Sequence, residues 1–371
     1  MRIAIQAADL DHARIDGTRV YILNLLKYFG ELDPASDFLI YHKKEFNPEL
    51  APPNFSNYTI KKIFTPLFWT QTRFAAELWK DRPDVLWMPM HNAPLLRPKK
   101  IKTIVTIHDL AFKYFPEHFP KKDLLKINLL TSLAIKNADG IIAISESSKK
   151  DILKFYPGTQ TDKIKVIYHG FDPEVFQKER NPEKEAEIKK RLNIRGKYLL
   201  YTGAIQPRKN LEILIEAFNR LKTSQNSDLS LVLAGEKAWL SEKTIRKAQE
   251  SPFSTDIKMP GKLKFDDLGH LCRGAAVFIF PSLYEGFGIP VLEAMAAKVP
   301  VICTQNSSLP EVAGEAALYF DPQDARDLEQ KIKSLLEDET LRTAMIAKGL
   351  EQIKKFSWEK CARETLEYLK S

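Results

Sequence analysis

The amino-acid sequence predicts an α/β fold with two doubly wound domains. Its 371 residues are more than one hydrophobic core usually organises, so two domains are expected. Short apolar runs alternate with helical patterns from Arg2 onwards, and the same alternation starts again at Tyr198. Such alternation is typical of parallel sheets covered by helices on both faces. Residues 173–196 are charged and hold few apolar side chains, so we expect the domain boundary there, as a linker with a surface helix.

Composition indicates a soluble globular protein. Hydrophobic residues make up 44% of the chain and charged residues 28%, which is usual for that class. The apolar run after Met1 is too short for a signal peptide, and no run approaches the roughly 18 apolar residues of a membrane span. Three cysteines without metal-ligand spacing favour a reducing compartment. We therefore expect a cytoplasmic protein.

The elements of the first half follow from hydrophobic periodicity. Strands are expected over 2–7, 38–42, 58–63, 84–88, 102–110, 140–145 and 164–168. Helices are expected from residue 20, over 69–80 and 121–137, and after Ser145, whose hydroxyl is a suitable N-cap.

The second half repeats this alternation. Strands are expected over 198–202, 229–235, 257–261, 275–280, 299–304 and 316–320. Helices are expected over 211–221, from Pro290 through Met295 to Lys298, after Asp324, and after Ser357.

The stretch from Pro281 to Glu293 carries most of the functional information. It follows a strand buried on both faces, two glycines allow a sharp turn, and Pro290 suits the start of a helix. The backbone N–H groups of Phe287, Gly288 and Ile289 are therefore expected at a helix N-terminus. Unpaired donors at that position favour anions and oxygen-rich ligands.

Two carboxylates flank these donors. Glu285 precedes the helix, and Glu293 lies about one turn inside it. Carboxylates accept hydrogen bonds from hydroxyl groups and N–H groups donate them, so the set suits a polyhydroxylated molecule. The alternative is a solvated Glu293 and an incidental loop residue at Glu285, because Glu is mostly exposed in proteins.

The pattern Pro-Ser-x-x-Glu-Gly-Phe-Gly-x-Pro-x-x-Glu-Ala, with seven residues between Glu285 and Glu293, resembles the Glu-x7-Glu motif of glycosyltransferase family 4. That family contains retaining, nucleotide-sugar-dependent enzymes. The resemblance implies a GT-B fold, in which two Rossmann-like doubly wound domains face a central cleft. It assigns acceptor binding to residues 1–172, with a C-terminal helix at about 357–371 crossing back onto them. Donor binding is assigned to residues 173–356.

The resemblance also implies roles for individual residues of the donor domain. Glu293 would hold the ribose hydroxyls, and Glu285 with the N–H groups after it would hold the hydroxyls of the sugar. Leu263 lies in the segment that contacts the nucleotide base in the family. The donor-binding residues implied in this region are Leu263, Glu285, Gly286, Phe287, Gly288, Ile289, Leu292 and Glu293.

A second candidate segment follows the strand over 198–202. Gly203 begins a turn that leads to Arg208 and Lys209 near a helix N-terminus, an arrangement suited to clamping a diphosphate. An isolated Arg-Lys pair is more often a solvated surface. The family commonly has Arg directly after the glycine, where this chain has Ala204, and Lys five residues later, where it has Lys209. Arg208 is the expected substitute for the missing Arg.

The first half contributes two further candidates. His108 lies at the end of a buried strand, and ligands bind beyond the carboxyl ends of strands in open parallel sheets. A structural pair of His108 with Asp109 is an equally good interpretation from the residues alone, whereas the resemblance implies contact with the donor sugar or phosphate. Gly17 is similar to the glycine loop with which the family approaches the donor phosphate, although the family often has two glycines there.

The reaction implied by the resemblance is retaining transfer of a hexose from a nucleoside-diphosphate sugar to a saccharide or lipid-linked acceptor. The residues expected to serve catalysis are His108, Arg208, Lys209 and Glu285. The two cations and the helix-terminal N–H groups would stabilise the leaving diphosphate, so no metal and no cofactor are expected. Asp9-x-Asp11 matches the metal signature of another glycosyltransferase fold, and we interpret it as a loop. No covalent nucleophile is assigned, because family members are generally thought to use the leaving diphosphate to deprotonate the acceptor.

Two segments indicate which sugar nucleotide is the donor. Pro-Arg-Lys-Asn at 207–210 and Ser-Leu-Pro-Glu-Val at 308–312 look most like mannosyltransferase-type members, so GDP-mannose is the first expectation and UDP-glucose the second. A sugar-nucleotide epimerase of related fold is an alternative. A non-enzymatic nucleic-acid-binding protein would explain the basic first half but not Glu285, Glu293 or the turn at Gly203. We therefore expect no nucleic-acid partner.

Charge is unevenly distributed along the chain. Residues 1–170 hold 25 Lys and Arg against 18 Asp and Glu, and the remaining residues hold 31 against 30. Basic clusters lie at 97–102 and 121–126, the second within a Leu-rich helix. One interpretation is a core-facing helix with solvated lysines. The other is peripheral docking on an anionic surface, either the inner face of a membrane or a diphospholipid-linked acceptor.

Overall fold

A computed structural model describes residues 1–64, 68–225 and 228–371. The chain forms two compact units. The first contains Met1–Gly170 and Phe356–Ser371, and the second contains Phe171–Lys355. Each unit has its own parallel sheet with helices, which confirms the predicted α/β class with two doubly wound, Rossmann-like domains.

The sheet of the first unit has the strand order β3-β2-β1-β4-β5-β6-β7. All the pairings between its described strands are parallel. Its strands are β1 Arg2–Gln6, β2 Asp37–His42, β3 Tyr58–Lys62, β4 Val85–Met88, β5 Lys102–Ile107, β6 Gly140–Ala143 and β7 Ile164–Val166. The helices that accompany them are α1 Gly17–Leu32, α2 Arg73–Asp81, α3 Ala111–Tyr114, α4 Lys121–Asn137 and α5 Glu146–Phe155.

The sheet of the second unit has the order β10-β9-β8-β11-β12-β13, also parallel throughout its described pairs. Its strands are β8 Tyr198–Thr202, β9 Ser230–Ala234, β10 Ile257–Gly261, β11 Val277–Phe280, β12 Val301–Thr304 and β13 Ala317–Phe320. The four central strands are buried at every position, as expected for strands covered on both faces.

The helices of the second unit begin directly after the unit boundary. They are α6 Pro173–Phe176, α7 Pro182–Arg191, α8 Leu211–Gln225, α9 Glu242–Gln249, α10 Phe265–Arg273, α11 Ile289–Ala296, α12 Leu309–Ala313, α13 Ala325–Glu337 and α14 Glu339–Ile353. The segment 173–196, expected as a linker with a surface helix, holds the two helices α6 and α7 of the second unit. Phe176 and Ile188 are buried there, so α6 and α7 have apolar anchors despite their many charges.

The last helix, α15 Trp358–Lys370, belongs to the first unit, where it packs against α1. Ser357 caps it by accepting a hydrogen bond from the Lys360 N–H. The close approach requires a glycine at position 170, because a Cβ atom there would lie 2.1 Å from the backbone nitrogen of Trp358. Lys370 also forms an ion pair of 3.1 Å with Asp33.

Candidate functional site

The candidate site lies where the strand order of the second sheet reverses. Strands β8 and β11 are neighbours, and the chain leaves them towards opposite sides of the sheet. In open parallel sheets, ligands bind beyond the carboxyl ends of the strands at this switch point. Gly203 directly follows β8, and the Pro281–Glu293 segment directly follows β11. The topology therefore brings together the two segments that the sequence singled out.

The turn before α11 presents free backbone donors. Gly288 is the N-cap residue, with φ of +111°, and a Cβ atom there would lie 2.8 Å from the side chain of Leu309. Both the left-handed backbone and the lack of space favour glycine. Among the described residues, none accepts a hydrogen bond from the N–H of Gly288 or Ile289. These donors remain available for an oxygen atom of a ligand.

Two serines hold this turn in place. The Ser307 hydroxyl accepts a hydrogen bond of 2.8 Å from the Glu285 N–H. The Ser308 hydroxyl contacts the carbonyl oxygens of Glu285, at 3.0 Å, and of Phe287, at 2.7 Å. Sequence reasoning did not assign these hydroxyls a role. Their position just after β12, the strand next to β11, was the signal that could have identified them.

Glu285 is at the centre of a buried charge network. It is 8% exposed, and its Oε1 lies 2.5 Å from Lys209 Nζ while its Oε2 lies 3.3 Å from Arg208 Nη1. Burial by itself would raise the pKa of Glu285, but the charges of Lys209 and Arg208 outweigh burial and lower it. The network therefore contains an ionised carboxylate and two cations, an excess of one positive charge.

A short 3-10 helix, Pro207–Lys209, positions the two cations. The Arg208 carbonyl accepts a hydrogen bond of 2.9 Å from the Leu283 N–H, and the Arg208 guanidinium donates to the Tyr284 carbonyl. Lys209 is buried, with its Nζ 5.0 Å from the centre of the Phe280 ring. This packing restricts both cations to the end of β11.

Glu293 lies in a different environment. Burial, with a smaller contribution from the negative charge of Asp172, raises the pKa of Glu293 to about 8. Among the described residues, no side chain or backbone N–H donates a hydrogen bond to its carboxylate. A partly buried carboxyl group without a donor is suited to receiving one from a ligand hydroxyl.

The turn after β8 crosses the turn after β9 closely. Gly203 has φ of +139°, and a Cβ atom at Gly235 would lie 1.8 Å from the Gly203 carbonyl oxygen. Sequence reasoning missed Gly235, whose place at the end of a strand was its only signal.

The other predicted donor-binding residues are buried or partly buried. Leu263 lies between β10 and α10 and is partly buried. Leu292 is fully buried within α11, and Gly286 and Phe287 are buried in the turn before it.

In the first unit, His108 follows β5 and is buried, and His91 beside it is partly buried. The His108 Nε2 lies 2.8 Å from the Pro89 carbonyl, so this nitrogen must carry the proton. The His91 Nε2 accepts a hydrogen bond of 3.0 Å from the His108 N–H. Burial, together with neighbouring His108, lowers the pKa of His91 to about 4, and burial also lowers the pKa of His108. Sequence reasoning missed His91, which follows β4 at the switch point of that sheet.

The remaining candidates of the first unit lie near α1. Gly17 is its first residue and is exposed, and Asp16 caps the helix by accepting a hydrogen bond of 3.3 Å from the Arg19 N–H. Asp9 and Asp11 belong to a 3-10 helix rather than the expected loop. Asp11 accepts hydrogen bonds of 2.8 Å from two backbone N–H groups, at Lys43 and Lys44. Within the described ranges, no three His, Cys, Asp or Glu side chains are grouped to hold a metal ion.

Comparison with known proteins agrees with this architecture. The family model described as Glycosyl transferases group 1 matches residues 183–352, and the model described as Glycosyltransferase Family 4 matches residues 15–175. The structure of HepE from Anabaena in complex with UDP and glucose has a TM-score of 0.76 at 18% identity, and the match covers 100% of both chains. The chain thus has the fold of a GT-B glycosyltransferase.

Two relatives from Escherichia coli indicate the sequence family to which the chain belongs within this fold. O-antigen chain mannosyltransferase B is 30% identical over 289 residues, 77% of this chain and 74% of that protein. Serotype-specific mannosyltransferase WbdA is 30% identical over 283 residues, 76% of this chain and 34% of WbdA, so the chain spans about a third of WbdA. The chain belongs to glycosyltransferase family 4, and it is an enzyme of the hexosyltransferase class.

Proposed function

We propose that the enzyme transfers a hexose from a nucleoside-diphosphate sugar to a hydroxyl group, and that the second unit holds the donor. The observation that carries the proposal is the contact between Lys209 and Glu285 at the switch point of the second sheet. It joins a cation suited to a diphosphate with a segment suited to sugar hydroxyls.

The diphosphate is assigned to Arg208, Lys209 and the N–H groups of Gly288 and Ile289. Both cations contact Glu285, and each carries several N–H donors, so both are suited to donate to the oxygens of an anionic ligand as well. The N–H groups lie at a helix N-terminus, where the helix dipole adds to the attraction. The same groups would stabilise the charge that grows on the leaving diphosphate.

The nucleoside and the sugar are assigned to the carboxylates and to Leu263. Glu293 lacks a donor among the described residues, and the ribose hydroxyls of a nucleotide would supply one. Glu285 would accept hydrogen bonds from the hydroxyls of the sugar while keeping its ion pair with Lys209. Leu263, after β10, would lie against the base. His108 in the first unit and Gly17 at the start of α1 stay predictions as contacts of the donor.

The proposed chemistry is a retaining transfer that needs no metal. The acceptor oxygen forms a bond to the anomeric carbon as the bond between that carbon and the diphosphate oxygen breaks. The diphosphate leaves with the bonding electron pair, and one of its oxygens takes the proton of the acceptor hydroxyl. Glu285 is an unsuitable nucleophile because the charges of Lys209 and Arg208 stabilise its carboxylate and lower its pKa. Arg208 and Lys209 would replace a metal as the source of positive charge.

GDP-mannose is the proposed donor and UDP-glucose the second candidate. The names of the two Escherichia coli relatives, both mannosyltransferases, support mannose as the sugar. The Pro-Arg-Lys-Asn segment at 207–210 forms the 3-10 turn that holds both cations. The HepE complex contains UDP and glucose, which supports UDP-glucose as the second candidate for the donor. The acceptor is proposed to be a saccharide or a lipid-linked saccharide.

Peripheral contact with an anionic membrane is part of the proposal. The first half of α4 is exposed and carries Lys121, Lys122 and Lys126, with Leu125 at 75% and Leu129 at 59% exposure. Leu124 and Ile127 of this half are partly buried against the core, and the fully buried residues of α4 begin at Thr131. Exposed leucines beside lysines suit the interface of an acidic bilayer. Within the described ranges, no helix is long and apolar enough to cross one.

Thermal unfolding with GDP, UDP and ADP tests the proposal for the donor. A ligand that binds only the folded protein raises the unfolding temperature. The largest increase with GDP would support GDP-mannose, and the largest increase with UDP would shift the assignment to UDP-glucose. No increase with any of them would contradict a nucleotide-sugar donor. The anomeric configuration of the first product, read by NMR, tests retention, and an inverted product would exclude it.

A further inference from the structure

A second basic site lies in the second unit, away from the proposed donor site. It is a cavity of about 380 Å³ at the amino ends of the central strands. Gly196 and Lys197 directly precede β8, Ala275 and Ala276 precede β11, and Lys298 lies shortly before β12. The donor site is at the carboxyl ends of the same strands. The two sites therefore lie at opposite edges of one sheet.

The lining of this cavity is strongly positive. Of its lining residues, seven are Lys or Arg, and Glu179 is the one carboxylate among them. Two of the cations are balanced nearby, since Arg180 pairs with Glu185 at 2.5 Å and Lys178 with Asp266 at 3.5 Å. The others leave the cavity with a net positive charge.

Three lining cations have no counter-charge in the part of the chain that the structure describes. The side chains of Lys197, Lys298 and Arg342 form no ion pair and no hydrogen bond with any described residue. The backbone of Lys298 is left-handed, with φ of +59°. This conformation is uncommon for residues other than glycine. The three come from the start of β8, the end of α11 and α14, so the fold brings together cations that repel one another.

Arg273 adds a buried donor to this set. It is 5% exposed, its Nη1 donates to the Val175 carbonyl at 2.5 Å, and its Nη2 lies 3.1 Å from His270 Nδ1. Its buried Nε–H has no acceptor among the described residues. Buried donors are usually satisfied, and an unsatisfied one calls for a partner that is not part of the protein. Arg273 is also one of the residues that line the cavity.

We propose that this cavity binds a compact anion with two or more phosphoryl groups, at a site distinct from the donor site. Arg and Lys recognise phosphoryl oxygens through charge-assisted hydrogen bonds, and several cations around one cavity favour a multiply charged ligand. The volume lies within the range of small-ligand pockets and exceeds the needs of one phosphate ion. Helix α11 connects the two sites, because its N-terminus belongs to the donor site and Ala296 at its other end lines the cavity.

Calorimetric titration with inorganic pyrophosphate tests the proposal. Five proteins are compared: the wild type, Lys298→Gln with Arg342→Gln, Lys197→Gln, Lys209→Ala, and a double variant, Lys331→Gln with Lys333→Gln. The last double variant is the matched control, since both lysines lie on the exposed side of α13 in the same unit and do not line the cavity. The substitutions Lys298→Gln and Arg342→Gln remove the charge, keep a polar though shorter side chain, and remove no buried apolar group. Lys197→Gln provides an independent exposed variant of the cavity.

Because the donor site is itself proposed to hold a diphosphate, the binding assigned to the cavity is the pyrophosphate binding that persists in Lys209→Ala, and it should persist in the matched control as well. It should weaken about tenfold or more when Lys298 and Arg342 lose their charges, and it should weaken in Lys197→Gln. Its affinity should fall as the salt concentration rises, and single phosphate should bind more weakly. Binding that is lost only in Lys209→Ala would place pyrophosphate in the donor site and overturn the proposal. Equal affinity in all variants would overturn it as well.

Discussion

The ammonium group of Lys209 lies 2.5 Å from Oε1 of Glu285, although the two residues are 76 positions apart in the sequence. One follows β8 and the other follows β11, and these strands are neighbours at the switch point of the sheet. The contact joins the proposed diphosphate clamp to the proposed sugar-binding turn. A change at either residue therefore alters the charge of both parts.

Replacing Glu285 by Ala should reduce stability as well as turnover. The substitution leaves Lys209 and Arg208 without their buried counter-charge, and breaking a buried pair in this way costs about 3–5 kcal/mol. Because its pKa is lowered, Glu285 stabilises the fold above its ordinary pKa of about 4.5, and this contribution is lost as the pH falls through the lowered value.

Urea unfolding of the wild type and of Glu285→Ala at pH 7 measures the effect. Glu285→Gln is the matched variant, since it removes the charge and keeps the volume. Turnover should fall in both variants, because a group that positions the sugar acts in the transition state. Unchanged stability of Glu285→Ala would show that the ion pair contributes nothing in solution.

The protonation of Glu293 should make stability depend on pH in the opposite sense. Its pKa in the folded protein, about 8, lies above the ordinary value of 4.5, so the folded state keeps a proton that the unfolded state releases. The wild type should lose stability between about pH 4.5 and pH 8, by up to about 1.4 kcal/mol for each pH unit. Glu293→Gln cannot titrate and should lack this loss.

Urea unfolding at pH 5, 6.5 and 8 compares the two proteins. As the pH rises, the free energy of unfolding of Glu293→Gln should increase relative to that of the wild type. Parallel pH profiles for the two proteins would mean that Glu293 is ionised at neutral pH in the folded protein. That result would contradict a Glu293 pKa of about 8.

Chelation should leave activity largely intact. In the proposed mechanism Arg208, Lys209 and the N–H groups of Gly288 and Ile289 supply the positive charge that a metal would otherwise supply. Turnover is measured with and without EDTA, and then with added Mg²⁺ or Mn²⁺. A strict requirement for either ion would contradict the clamp mechanism and direct attention to Asp9 and Asp11.

Sedimentation with vesicles tests the exposed face of α4. The enzyme should sediment with vesicles that contain acidic lipid at low salt, because each basic residue near such a surface adds about 1 kcal/mol. Binding should fade as salt screens these charges. It should weaken in Lys122→Glu with Lys126→Glu and persist in Lys331→Glu with Lys333→Glu, which changes the same charge elsewhere. If equal amounts of enzyme sediment with neutral and acidic vesicles, the lysines of α4 do not bind acidic lipid and are ordinary surface residues.

The sequence predicted most elements of the fold, because strands buried on both faces leave a strong apolar signal. Strands β8 and β10 and helix α4 have the predicted bounds. The prediction named no helix for α9, α10 or α14. It interpreted residues 173–196 as a linker with one surface helix, where the structure has α6 and α7, because the few apolar residues of this segment are spread among many charges. The predicted helix over 69–80 is divided into a 3-10 turn, Trp69–Gln71, and α2.

The candidate site was predictable in its segments and not in its contacts. The glycines and Pro290 predicted a helix that starts at Pro290, and α11 starts one residue earlier, at Ile289. The ion pair of Glu285 with Lys209 depends on which strands are neighbours, and local sequence does not contain that information. The roles of Ser307, Ser308 and His91 likewise depend on the tertiary structure, because each supports a residue that is distant in the sequence or on another strand.

Titration of nucleoside diphosphates into the enzyme tests the central claim most directly. GDP and UDP are titrated calorimetrically into the wild type, Lys209→Ala, Glu293→Ala and Lys331→Ala, whose lysine side chain is 39% exposed and lies on α13 in the same unit. At least one nucleotide should bind the wild type and Lys331→Ala equally, and should bind the other two variants about tenfold or more weakly. Turnover with the matching sugar donor should also fall roughly 10²-fold in Lys209→Ala. Equal affinity in all four proteins, or no binding to the wild type, would contradict a donor site at the ends of β8 and β11.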